Sequence, residues 1–151
     1  MSVLIVLHIL AAVIWVGGMF FAYVCLRPVA ASLLEPPLRL SLWSETFKRF
    51  FVWVWIAIIL LIGSGHSMIV LLGGMANVGM HVHIMLISAY VMIALFMHVY
   101  FSPYKRLLQA TAESNWQKAG SNLNQIRRIV GINLVLGIVM IMVAAGGRFI
   151  F

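Results

Sequence analysis

The chain has 151 residues, of which 64% are hydrophobic and only 9% charged, and its mean hydropathy is +1.11. Soluble domains run at about 45–50% apolar and about 25% charged, and a fold this small leaves much of its area facing the solvent. Soluble globular, disordered, fibrous and collagenous classes are excluded, and an integral membrane protein remains.

Four apolar runs follow in chain order. The first, 3–25, reads VLIVLHILAAVIWVGGMFFAYVC, and the second, 51–72, reads FVWVWIAIILLIGSGHSMIVLL. The third, 80–101, is MHVHIMLISAYVMIALFMHVYF, and the fourth, 129–146, is IVGINLVLGIVMIMVAAG. Each is close to the roughly 20 residues with which an α-helix crosses a bilayer, and none contains Asp, Glu, Lys or Arg. They predict helices, because a membrane β-strand shows only about 10 alternating residues. The first run does not read as a cleavable signal, since it has no basic start, is longer than the usual apolar stretch, and is followed by no small-x-small site. The predicted fold is an all-α, four-helix transmembrane bundle in a single domain, without internal repeats.

The segments between the runs also have a pattern. Pro36 and Pro37, followed by LRLSLWSETFKRFF, suit a helix start that leads straight into the second span. The stretch YKRLLQATAESNWQKAGSNLNQIRRI mixes apolar and charged positions at helical spacing, which predicts amphipathic extensions of the third and fourth helices. Trp43, Trp53, Trp55, Tyr100 and Tyr104 fall near this boundary, as an interfacial aromatic belt would.

Ten Lys and Arg against three Asp and Glu give a formal charge of +7, and its placement decides what it means. Residues 26–50 carry Arg27, Arg39, Lys48 and Arg49 against Glu35 and Glu45. Residues 102–128 carry Lys105, Arg106, Lys118, Arg127 and Arg128 against Glu113, while 73–79 is uncharged and Arg148 supplies the last positive charge. Basic short loops face the cytoplasm, so both long loops are expected inside and both termini on the periplasmic side. The charge is therefore a topology signal, and no nucleic-acid partner is expected.

The chemistry lies in the five histidines, His8, His66, His81, His83 and His98, all within the apolar runs. Ionisable side chains are costly in a membrane and mark function. His8 lies about 7–8 Å from the outer end of its helix, His66 about 9 Å and His83 about 5 Å, with His81 nearer the surface. Three helices thus bring imidazoles to one level. His81 and His83 differ by about 200° around their helix, so only one can face the bundle centre. His98 sits about 22 Å deeper than His83 and has no histidine at its own level.

Neutral imidazole binds Fe, Cu and Zn, and two histidines on facing helices can ligate a heme in a flat apolar slot. Ala11, Ala12, Gly18 and Ala22 near the His8 stripe, with Gly63 and Gly65 beside His66, would either leave room for such a ring or serve close helix packing. Copper is the alternative cofactor, because Met68, Met75, Met80 and Met85 lie near the same histidines and thioether with imidazole suits Cu(I). No MxxM occurs and the MxM pattern appears once, at Met140 and Met142 of the fourth run, while Met is a common gap filler in apolar cores. Asn133, Gly137, Met140 and Ala144 form a narrow stripe that reads as packing. Cys25, the single cysteine, excludes a disulfide framework and any CxxC motif, and reads as a plain membrane thiol. No Walker, Gly-rich dinucleotide or GxSxG motif is present.

The segment LHILAAVIWVGGMFF with the following LRP resembles the first helix of the CopD (copper-resistance D) family of bacterial inner-membrane proteins, and KRFFVWVWIAIILLIGSG is similar to its second. HVHIM and the later HVYFSPYKRL also resemble the third helix of HemJ-type protoporphyrinogen oxidases. The resemblance implies a four-helix, often oligomeric protein of the bacterial inner membrane that binds b-type heme, while the CopD name implies copper. Under it His8 corresponds to the first-helix histidine, His81 to the histidine of an HVK motif, and His98 to the late one. His83 stands where the HemJ-type proteins have lysine, a departure from the oxidase pattern that adds an imidazole.

The expectation is thus a b-type heme protein with a redox or electron-transfer role and its heme near the periplasmic face. His8 and His83 are the expected axial ligands, His66 and His81 their substitutes, and His98 is assigned to a second heme, a quinone or another subunit. Copper binding or transport and a HemJ-like oxidase are the alternatives, and the enzyme class stays open to a heme-dependent oxidoreductase. The lipid bilayer, a redox partner protein and a second copy forming a homodimer are the expected partners.

Overall fold

The computed structural model describes residues 1–150; Phe151 and the side chains of Arg148, the last positive charge, and Ile150 lie outside the described residues. The helices run in the order α1 (Ser2–Phe20), α2 (Arg27–Leu33), α3 (Pro36–Leu71), α4 (Met80–Phe101), α5 (Pro103–Ala112) and α6 (Trp116–Ile150). Joined end to end they make four segments long and apolar enough to cross a membrane: Ser2–Leu33, Pro36–Leu71, Met80–Ala112 and Trp116–Gly147. No strand occurs among the described residues. The chain is therefore the all-α four-span bundle that its apolar runs predict.

The spans 3–25, 51–72, 80–101 and 129–146 mark only the apolar part of longer helices. Segments of 32 to 36 residues reach about 48–54 Å, against a hydrocarbon thickness of about 30 Å. Each helix thus overshoots at its basic end. The overshoot is stable because the core continues into it, with Leu107, Ala110, Ala119 and Ile126 fully buried.

The first segment passes through Pro28 without stopping. Proline has no N–H to give the Val24 carbonyl and its ring crowds that oxygen, so the chain widens into a π-helical stretch over Phe21–Leu26. The Arg27 N–H there reaches back five residues to the Ala22 carbonyl. One extra residue turns the helix face by about 100°, and Tyr23, Val24 and Arg27 of this stretch line the same space as α6. Pro103 acts differently in the third segment: the helix is interrupted at Ser102, and α5 starts anew with the proline in its first turn.

Turn chemistry fixes both ends of the bundle. Gly73 and Gly74, at φ of 91° and 92°, take the left-handed conformation that closes α3, with the Gly74 N–H on the Ile69 carbonyl. At the basic end the Asn115 side chain accepts the Lys118 N–H at 3.2 Å and caps α6. Short connections make neighbours antiparallel: α1 packs along α3, and α4 with α5 along α6.

The core fills the middle and the basic end. Phe51, 3% exposed, is stacked with Phe47 and meets Phe96 and Tyr104 edge-on at centroid distances of 5.1, 5.3 and 4.8 Å. Trp55 and Tyr100 join through Phe96. The expected aromatic belt is thus mostly an interior cluster: Trp43 and Tyr104 are buried and only Trp53, 55% exposed, faces outward. These rings share one helix face at i, i+4 spacing, and facing helices bury it. In contrast, no residue in 1–10 or 65–91 is buried. The histidine end is open.

Candidate functional site at the histidine end

His8 projects from α1 onto α3. Its Nδ1 lies 2.8 Å from Ser64 Oγ, and Ser64 gives its single hydroxyl proton to the Leu60 carbonyl one turn earlier. The hydroxyl oxygen therefore accepts from His8 Nδ1–H, which leaves Nε2 unprotonated with its lone pair available. Gly65 lets the ring approach: a Cβ there would stand 3.3 Å from His8 Cε1. Ser64 is only 4% exposed, so the imidazole is held by a bond shielded from water.

His66 is committed elsewhere. Its Nδ1–H donates to the Ile62 carbonyl at 2.9 Å, and Nε2 accepts the Tyr90 hydroxyl of α4 at 3.0 Å. It can replace His8 or His83 as a ligand only by displacing Tyr90. His83 repeats the His8 arrangement within one helix: Nδ1–H donates to the Gly79 carbonyl at 3.2 Å, so Nε2 keeps its lone pair. His81 is wedged between glycines, since a Cβ on Gly79 would come within 2.7 Å of its Cε1 and one on Gly147 within 2.6 Å of its Cβ. Its buried Nδ1 has no hydrogen-bond partner among the described residues. His98 is exposed on the outside of α4, about 22 Å along that helix from His83.

The single histidine level read from helix depth is therefore resolved into separate places. His8 belongs to the α1–α3 pair, His81 to the α4–α6 contact, and His66 bridges α3 to α4. Among the described residues no group of three or more His, Cys, Asp or Glu is placed to hold a metal ion. The small residues serve packing: Gly18 receives the Phe50 ring, Gly65 receives His8, and Gly137 touches Val16 and Met92. Asn133 donates to the Met92 carbonyl at 3.2 Å and ties α6 to α4, as its stripe predicts. Cys25 is a free, exposed thiol.

Ser64 and Tyr90 are the partners of His8 and His66, and the sequence does not single them out. Their signal was present, because a hydroxyl inside an apolar span needs a partner. The partner's identity was not, since it sits on another helix.

Fold and site together define a multi-pass membrane protein whose histidine end presents two basic imidazole nitrogens, those of His8 and His83. The family model of CopD, copper resistance protein D, matches residues 44–146, more than half of the chain. The chain belongs to the CopD family and is an inner-membrane protein. The matched region starts within α3, so it holds His66, His81, His83 and His98 while α1 and His8 precede it. Neither the curated proteins nor the solved structures yielded a match.

Proposed function

We propose that this protein handles copper at the histidine end, taking Cu(I) as its cargo with His8 as the anchoring ligand. The supporting observation is the chain from the Leu60 carbonyl through the Ser64 hydroxyl to His8 Nδ1–H. An outer partner of this kind fixes the tautomer and aims the ring. His83, held in the same tautomer by Gly79, is the second nitrogen donor on the same end. Met68 stands one turn beyond Ser64 on the same face of α3 and offers a soft thioether. The preference of basic loops for the cytoplasm supports an outer-side position for this end, where extracytoplasmic copper arrives.

The test is metal analysis of protein purified in detergent from copper-supplemented cells. Wild type should retain copper and His8→Ala should lose it. Retention of copper by His8→Ala would overturn His8 as the anchor. A second reading, a b-type heme held by His8 and His83 in electron transfer, is supported by the matching tautomers of those two histidines. It expects a Soret band that both His8→Ala and His83→Ala abolish. Such a band in a copper-free preparation would replace copper by heme.

A further inference from the structure

An unexplained feature lies at the opposite end. A cavity of about 650 Å³ opens between the π-helical stretch with α2, the start of α3 and the start of α6. That volume lies within the range of about 300–1,000 Å³ typical of ligand sites. Three arginines from three helices, Arg27, Arg39 and Arg127, reach its wall, beside Tyr23, Trp43 and Trp116. Among the described residues no carboxylate lines it. Arg27 lies over the Tyr23 ring, 4.8 Å from its centroid, and Tyr23 in turn sits against Gly131, where a Cβ would come within 3.1 Å of the ring. The deeper wall is apolar, with Leu40, Phe47, Leu123 and Val130.

Position narrows the occupant. The cavity begins at residue 22 of the first segment, ends at 47 of the second and at 130 of the fourth, where each helix crosses from the apolar run to the overshoot. This is headgroup depth, with hydrocarbon on one side and water on the other. Converging arginines without counter-charge at that depth attract an anion, and the apolar wall that continues toward the bilayer suits an acyl chain. We propose that this cavity is a binding site for an anionic phospholipid of the cytoplasmic leaflet, with its phosphate on Arg27, Arg39 and Arg127 and its chain along Leu40, Phe47 and Val130. Gly120 lines the same cavity and leaves space beside it, since a Cβ there would meet nothing within 4 Å.

The experiment titrates the purified full-length protein in neutral detergent with phosphatidylglycerol and with phosphatidylcholine of identical chains. Bound lipid is counted by native mass spectrometry at physiological ionic strength. Phosphatidylglycerol should bind at least tenfold more tightly, and Arg39→Gln or Arg127→Gln should each weaken it by about fivefold. Lys48→Gln with Arg49→Gln, exposed charges outside the cavity, should leave it unchanged. Equal binding of the two lipids in wild type, a comparison that needs no variant, would overturn the proposal. So would equal losses in the cavity and control variants. Displacement of phosphatidylglycerol by an equal concentration of glycerol phosphate would also overturn it, because the site would then recognise a soluble phosphate.

Discussion

Replacing Ser64 by alanine isolates the support of the histidine site from the ligand itself. Ser64→Ala removes the acceptor of the His8 Nδ1–H bond, 2.8 Å in length, while leaving every atom of the imidazole in place. Hydrogen bonds between membrane helices average about 0.6 kcal/mol and reach about 1.7, which corresponds to about three- to eighteen-fold in an equilibrium constant. Outer partners of metal-bound histidines cost about 10–100-fold when removed. Gly65 still leaves the ring its room, since a Cβ there would stand 3.3 Å from His8 Cε1, so the imidazole keeps its place beside α3 and the loss belongs near the overlap. Cu(I) affinity should fall about tenfold, read by competition with a chromophoric Cu(I) chelator under anaerobic, reducing conditions. Ser64→Thr keeps a hydroxyl and should stay close to wild type, whereas His8→Ala should lose binding. An unchanged affinity in Ser64→Ala, or a loss as complete as in His8→Ala, would refute the argument that the hydroxyl orients a ligand.

Three further outcomes test the packing around the sites. Phe51→Ala opens the centre of the ring cluster and should cost near the lower end of about 3–5 kcal/mol, because lipid competes for the same apolar surface; unfolding of detergent-solubilised protein in a dodecyl sulfate titration, followed by helical circular dichroism, measures it. Gly137→Val puts a Cβ 2.8 Å from Val16 Cγ2 and should destabilise by about 1–3 kcal/mol through overpacking. Gly63→Ala, whose Cβ meets nothing within 4 Å, should leave the Tm unchanged, and a matching fall in both variants would sink the account of α6 packing. Tyr90→Phe removes the donor on His66 Nε2, so carbethoxylation of His66, mapped by mass spectrometry, should rise severalfold; unaltered reactivity would show that the bond does not cover that nitrogen.

Much of the architecture was legible in the residues because a bilayer makes demands that are local. A run without charge must be helical to satisfy its own backbone, so four spans follow from 3–25, 51–72, 80–101 and 129–146 alone. Pro36 and Pro37 at the start of α3 were equally readable, since proline needs no partner in the first turn. The passage of the first segment through Pro28 was not, because an internal proline can equally stop or kink a helix, and only the fold shows the chain continuing through a π turn.

The histidines divide along the same line. Their presence, and the depth that puts four of them near one end, came from counting along helices. Which nitrogen of each ring is free came only from the fold: His8 meets Ser64 across 56 residues and His66 meets Tyr90 across 24. The same holds for the arginines. As sequence, Arg27, Arg39 and Arg127 report only orientation, because charge along a chain says which side of the membrane a loop prefers. As structure they converge on one cavity. Hydropathy and helix length act within a segment and can be read from it, whereas tautomers, aromatic clusters and binding cavities arise between segments, and only their packing brings the partners together.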